Sequence, residues 1–155
     1  MSKRAIVTGG SGYLGQILVE KLLEESWVVL NIDLNSLVIN HPNYSFFKCD
    51  IRNYDKLNEY IKEADIIFHC VAQVPLAKNI SDFWSVNSNG TENICKITNK
   101  KKIKKLVYIS SSAIFGAPDS NPVDEKTVPF PAEEYGKAKL EGEKICKKYS
   151  LNNLN

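Results

Sequence analysis

The sequence predicts an α/β domain built on a doubly wound parallel sheet, with helices on both faces and strand order 3-2-1-4-5. Three observations lead there. Apolar runs alternate with amphipathic stretches along nearly the whole chain. The runs are short and almost continuously apolar, as strands covered on both faces must be. The first run also ends in Thr8-Gly9-Gly10-Ser11-Gly12-Tyr13-Leu14-Gly15, where a helical pattern begins. Right-handed crossovers between successive parallel strands then set the strand order.

The elements follow in turn. Strands are expected at 4–8, 27–32, 45–49, 66–71 and 105–110, and helices at 13–25, 53–63, 82–99 and 133–149. The first helix is marked by Leu14, Ile17, Leu18 and Leu22 on one face. Segment 116–132 holds Pro118, Pro122, Pro129 and Pro131 and reads as a long irregular loop, a kind of segment that is more often functional than idle. No internal repeat divides the chain, and residues 1–155 read as one domain.

A strand that runs through glycines into a helix puts free backbone N–H groups and the positive end of a helix at one point. That point favours an anion, above all a pyrophosphate. Gly10, Gly12 and Gly15 satisfy G-x-G-x-x-G, while Gly9, Gly12 and Gly15 satisfy G-x-x-G-x-x-G. The second strand ends in Asp33, 18 residues after Gly15. A carboxylate there can accept from a ribose 2′-hydroxyl and repel a 2′-phosphate. Neither the glycine turn nor the position after Asp33 carries Arg or Lys, so NAD is expected over NADP.

Composition sets the wider limits. The chain is 43% apolar and 25% charged, as in globular proteins, and its formal charge of +2 does not suggest nucleic acid. The run Lys100-Lys101-Lys102-Ile103-Lys104-Lys105 reads as a solvated helix end and turn. No stretch approaches the roughly 18 consecutive apolar residues of a membrane span. Met1-Ser2-Lys3-Arg4 leads straight into the first strand, so no signal peptide is expected. Cys49, Cys70, Cys95 and Cys146 are widely spaced, and with only His41 and His69 beside them no metal site is expected. Reduced thiols in a cytoplasmic protein are the simplest expectation.

Tyr135-Gly136-Lys137-Ala138-Lys139 carries the second chemical signal. Tyr135 and Lys139 are four apart and share a helix face. A tyrosine is a poor base at neutral pH, and a neighbouring ammonium favours its phenolate. The fifth strand, Leu106-Val107-Tyr108-Ile109, runs into Ser110-Ser111-Ser112, placing hydroxyls at a carboxyl-end crevice where a reacting oxygen could be bound.

In these motifs the chain resembles the extended short-chain dehydrogenase/reductase superfamily, specifically the NAD-dependent epimerase/dehydratase family acting on nucleotide sugars. The matches are TGGSGYLG, Asp33, Asp50-Ile51, His69-Cys70-Val71-Ala72, Val86-Asn87 with Gly90-Thr91-Glu92-Asn93, SSSAIFG at 110–116 and YGKAK at 135–139. The resemblance implies a Rossmann-type domain in which Gly9, Gly12 and Gly15, with Tyr13 and Leu14, hold the pyrophosphate of NAD. Asp33 would hold the adenosine ribose, Asp50 and Ile51 would border the adenine, and Val71, Ala72 and Asn87 would line or support the cofactor site. Ser111, Tyr135 and Lys139 would be catalytic, Tyr135 as acid/base and Lys139 also reaching the nicotinamide ribose.

Where dehydratases of the family place an Asp-Glu pair this chain has Ser112-Ala113, so a 4-epimerase or simple hydroxyl oxidoreductase is expected rather than a 4,6-dehydratase. Alternatives are an NAD-binding module without turnover and a steroid- or flavonoid-type dehydrogenase. The resemblance further implies a UDP-sugar substrate met by loops 73–81 and 116–132. It implies a homodimer through helices 82–99 and 133–149, where Phe83, Trp84, Ile94, Ile97, Leu140 and Ile145 supply apolar bulk. Family members are roughly twice as long, so the chain is expected to be the N-terminal, cofactor-binding portion, ending before a sixth strand and a C-terminal substrate domain.

Overall fold

The computed structural model describes residues 2–74, 79–119 and 121–151. Parts of the two expected substrate loops, residues 75–78 and Ser120, lie outside these, as does the tail 152–155. The element order is β1 (Arg4–Thr8), α1 (Tyr13–Glu24), β2 (Val28–Asp33), β3 (Tyr44–Lys48), α2 (Tyr54–Tyr60), β4 (Ile66–His69), α3 (Ile80–Trp84), a π-helical segment (Ser85–Gly90), α4 (Thr91–Lys100), β5 (Lys105–Tyr108), a 3₁₀ turn (Ser112–Phe115) and α5 (Glu134–Leu151). The five strands form one parallel sheet in the order β3-β2-β1-β4-β5. This is the doubly wound Rossmann-type architecture that the alternation of apolar runs predicts.

Alternate side chains of β1 serve opposite faces of the sheet. Ile6 joins Ile32, Leu57, Ile67, Ile94 and Ile97 under α2 and α4. Ala5 and Val7 join Val19, Leu22, Leu23 and Val29 under α1. Both faces are therefore covered, which is why Ala5, Ile6 and Val7 of the central strand are apolar in succession. The parallel register pairs Thr8 with Ile32 and with His69, so the carboxyl ends of the central strands are level and their loops converge.

Several boundaries differ from expectation. β4 ends at His69 and β5 at Tyr108, each two residues short. Cys70 and Ile109 keep one hydrogen bond back to the sheet, through Cys70 N–H to Thr8 O and Ile109 N–H to His69 O, and the chain then turns away. The helix expected at 53–63 ends at Tyr60, because Ile61 is extended (φ −75°, ψ 103°). The helix expected at 82–99 is interrupted by the π-helical segment, a wide turn of a kind often found at functional sites. Its residues, SVNSNG, include Val86 as the one apolar side chain, and neither apolar spacing nor a proline marks where the helix widens. The Lys-rich run falls at the α4 end and in the turn before β5, with Lys102 at φ 55°.

Candidate cofactor and active site

A cleft of about 280 Å³ opens at the carboxyl ends of β1 to β4, and its walls include Gly9, Gly12, Asp33, Asp50, Ile51, Val71 and Ala72. Its floor is the turn between β1 and α1. Gly9 sits at φ +74°, and a Cβ there would stand 2.7 Å from the backbone nitrogen of Val71. Only glycine fits both the conformation and the approach. Gly12 caps α1 with extended backbone, makes no side-chain cap, and no acidic residue follows in the first turn. The first N–H groups of α1 lack helical acceptors, and no acidic side chain of the helix itself offsets its positive end. Tyr13 (90% exposed) and Leu14 stand outward at that end, and buried Gly15 packs against Gly9 and Gly10.

Asp33 closes one side. Its Oδ2 accepts from Ser11 N–H (3.1 Å) and its Oδ1 from Asn35 N–H (3.0 Å), fixing the carboxylate beside the glycine turn with acceptor capacity to spare. Asn31, two residues earlier and fully buried, donates to Ser11 Oγ and Tyr44 Oη at 3.1 Å each. Motif reading misses Asn31; a polar residue inside an apolar strand is the signal that marks it.

Arg52 is the larger omission. Its Nη2 donates to Asp50 Oδ2 at 2.7 Å and its Nε to Asp50 Oδ1 at 3.0 Å, while Nη1 reaches Asp82 Oδ1 (3.4 Å) and Ser85 Oγ (3.3 Å). The guanidinium holds the Asp50 carboxyl below its ordinary range. Arg52 also lines the cleft, yet two carboxylates face it and more than match its charge. Asn87 reaches the cleft through Gln73, with Asn87 Oδ1 accepting from Gln73 N–H (2.9 Å) and Asn87 Nδ2 donating to Gln73 O (3.0 Å).

Asn87 is in turn held by a buried chain of hydrogen bonds. The Thr91 hydroxyl donates its single proton to Asn87 O (2.7 Å), so the 3.1 Å contact from His69 Nε2 must be an N–H donating to Thr91. His69 Nδ1 then accepts from the Thr8 hydroxyl at 2.6 Å. The neutral ring is fully satisfied. Burial first, and the Lys139 charge second, push its pKa down to about 3.

The three expected catalytic residues lie on neighbouring elements, but no hydrogen bond among the described residues joins them to one another. Ser111 caps the 3₁₀ turn and its Oγ accepts from Ala113 N–H (3.2 Å), while the buried Ser110 Oγ has no partner. Tyr135 is half-buried at the start of α5, edge-on to Phe83 with ring centroids 6.2 Å apart. The next residue, Gly136, has no room for a Cβ against Ala113 O, which seats the first turn of α5 directly on the turn begun by Ser111. Lys139 is 1% exposed; its Nζ donates to Ile109 O (2.6 Å) and lies 4.2 Å from the Tyr108 ring centroid. Burial lowers its pKa to about 8.

These features fit a dinucleotide. A bare helix end suits a pyrophosphate, a fixed carboxylate suits a ribose diol, and Ile51 with Val71 offers apolar surface to a base. Among the described residues no cluster suits a metal ion, and no helix is long and apolar enough to cross a membrane.

Comparison with known proteins agrees. A curated protein from Sinorhizobium fredii, the uncharacterized protein y4nG, is 51% identical over 145 residues, which are 94% of this chain and 37% of that one. A putative UDP-glucose 4-epimerase from Methanocaldococcus jannaschii is 35% identical over 94% of this chain and 50% of its own length. A crystal structure of UDP-galactose 4-epimerase superposes with a TM-score of 0.87 at 30% identity, covering 96% of this chain and 52% of that one. The chain thus spans about half the length, or less, of these relatives. The sequence pattern of the NAD dependent epimerase/dehydratase family matches residues 5–154, and the chain belongs to that family.

Proposed function

We propose that this chain is the cofactor-binding portion of an NAD-dependent nucleotide-sugar epimerase or closely related hydroxyl oxidoreductase. The observation that carries the reading is the pairing of a helix end at Gly12 that has no side-chain cap and no acidic first turn with a carboxylate, Asp33, fixed beside it in one cleft. NAD, when bound, supplies a two-electron hydride acceptor and donor. Gly9, Gly12 and Gly15, with Tyr13 and Leu14, would hold its pyrophosphate, and Asp33 its adenosine ribose. Asp50 and Ile51 would flank the base, with Val71, Ala72 and Asn87 forming and supporting the opposite wall.

In the reaction Tyr135 would take the proton of a sugar hydroxyl and later return it. The Lys139 ammonium would stabilise the phenolate, and Ser111 Oγ would hydrogen-bond the reacting oxygen. In the structure Lys139 faces Ile109 O and Ser111 faces Ala113 N–H, so both would exchange these partners on assembly of the site. Ser112 and Ala113 supply no carboxylate, which favours epimerisation or simple oxidation and reduction over elimination of water. A UDP-sugar is the substrate class suggested by the named relatives.

Calorimetry with NAD and NADP, followed by assay against UDP-sugars, tests this. NAD is expected to bind at least tenfold more tightly. Tyr135→Phe is expected to abolish most turnover while leaving NAD affinity within about twofold, because only the hydroxyl carries the proton. Equal affinity for the two cofactors, or full activity in the variant, contradicts the reading.

A further inference from the structure

Tertiary structure brings two of the four cysteines together. Cys95 on α4 and Cys146 on α5 are 51 positions apart, and their Sγ atoms are 3.8 Å apart. Cys95 is 1% exposed and Cys146 is half-buried. Both stand on the wall of a second cavity, of about 430 Å³, formed by α4, β5 and the last turns of α5. Lys104, Lys147 and Thr98 share that wall, making the cavity polar enough to admit a small polar oxidant. The thiols of Cys49 and Cys70 lie elsewhere, both on the wall of the cofactor cleft.

The two sulfurs are unequal. Cys146 is the more exposed of the two and the nearby Lys139 cation favours its thiolate, whereas Cys95 is almost fully buried, which holds its proton on. Cys146 is therefore the attacking thiol, and Cys95 lies in reach to resolve its oxidised form.

We propose that Cys95 and Cys146 form a reversible dithiol–disulfide site, oxidised by hydrogen peroxide and reset by a thiol reductant. The Cys146 thiolate attacks one peroxide oxygen; an S–O bond forms, the O–O bond breaks, and the departing hydroxide leaves as water after taking a proton. The Cys95 sulfur then displaces the sulfenic hydroxyl, which leaves as water with the Cys95 proton as the S–S bond forms. Two thiols lose two electrons and one peroxide becomes two waters. Side-chain rotation has to bring the sulfurs from 3.8 Å to about 2.05 Å. The bond would tie α4 to the helix that carries Tyr135 and Lys139. This site does not depend on the cofactor reading, since neither cysteine lines that cleft.

The test is to treat the full chain with hydrogen peroxide, alkylate the remaining thiols and map the digest by mass spectrometry. One linked species joining Cys95 to Cys146, two hydrogens lighter and restored by dithiothreitol, is expected, with Cys49 and Cys70 still alkylated. In Cys95→Ser, Cys146 is expected to accumulate as a dimedone-trapped sulfenic acid. Oxidation of the unsubstituted chain should raise its unfolding midpoint by several degrees, with no such rise in Cys146→Ser. Cys95 and Cys146 both remaining alkylatable after excess peroxide, or linkage to Cys49, Cys70 or a second chain, overturns the proposal.

Discussion

Replacing Lys139 by methionine gives a stability signature with a definite sign and window. In the folded chain burial lowers the Lys139 pKa from its ordinary 10.5 to about 8. Between those values the unfolded chain holds the proton and the folded chain does not, so stability rises with pH. Below about 8 the folded chain must carry a buried ammonium, and the destabilisation is fully present. Linkage gives about 2.5 kcal/mol of recovered stability between pH 7 and pH 10 from this one residue. Lys139→Met removes the ionisation and keeps most of the volume. At neutral pH the gain from removing a buried charge is offset by loss of the bond to Ile109 O and of the cation over the Tyr108 ring, each about 1–2 kcal/mol. The two proteins should therefore be close in stability at pH 7. Urea unfolding of both at pH 7 and pH 10 provides the measurement. The stability of the unsubstituted chain relative to Lys139→Met should grow by about 2.5 kcal/mol across that range. A difference that stays constant with pH would falsify the assignment of a depressed, buried cation. Under the proposed function the same variant should also lose turnover and bind NAD more weakly.

Further outcomes follow from the same geometry. Asp33→Ala should weaken NAD binding by about 10- to 100-fold, the worth of a charged hydrogen bond, and adding Leu34→Arg should shift preference towards NADP; calorimetry showing unchanged selectivity would count against Asp33 as the ribose ligand. Nitrogen NMR of the imidazoles should show His69 neutral at pH 5 with its proton on Nε2, since its pKa is held at about 3 while unfolded histidine titrates near 6.5. Accordingly, stability should fall as pH drops through 6.5 towards 3, and a His69 that protonates near pH 6 would contradict the buried chain from Thr8 to Asn87. The homodimer that the family resemblance implies is tested by light scattering at high micromolar concentration. Phe83, Ile94 and Ile97 are buried within the chain itself, so the self-association surface rests on Trp84, Leu140 and Ile145, and Trp84→Ala should weaken the dimer if one forms.

The legible part of this protein is the part written in short-range patterns. The strand–glycine–helix turn, Asp33 at the second strand end, and the pairing of Tyr135 with Lys139 on one helix face depend on spacings of a few residues. Continuous apolar runs on both sides of the alternation were enough for the parallel sheet and its order, because a strand buried on two faces has no polar position to spare. What the tertiary structure alone decided are partnerships between residues far apart in the chain. Arg52 bridges Asp50 to Asp82, Gly136 lies against Ala113, and Asn87 reaches Gln73. The same holds for His69 between Thr8 and Thr91 and for Cys95 beside Cys146, 51 positions away. The π-helical turn that carries Asn87 belongs here too, since no local feature of SVNSNG marks the widened turn. The physical reason is common to all of them: local sequence sets backbone geometry and which face is apolar, while hydrogen bonds, burial and charge neighbours come into being only when the strands are laid side by side.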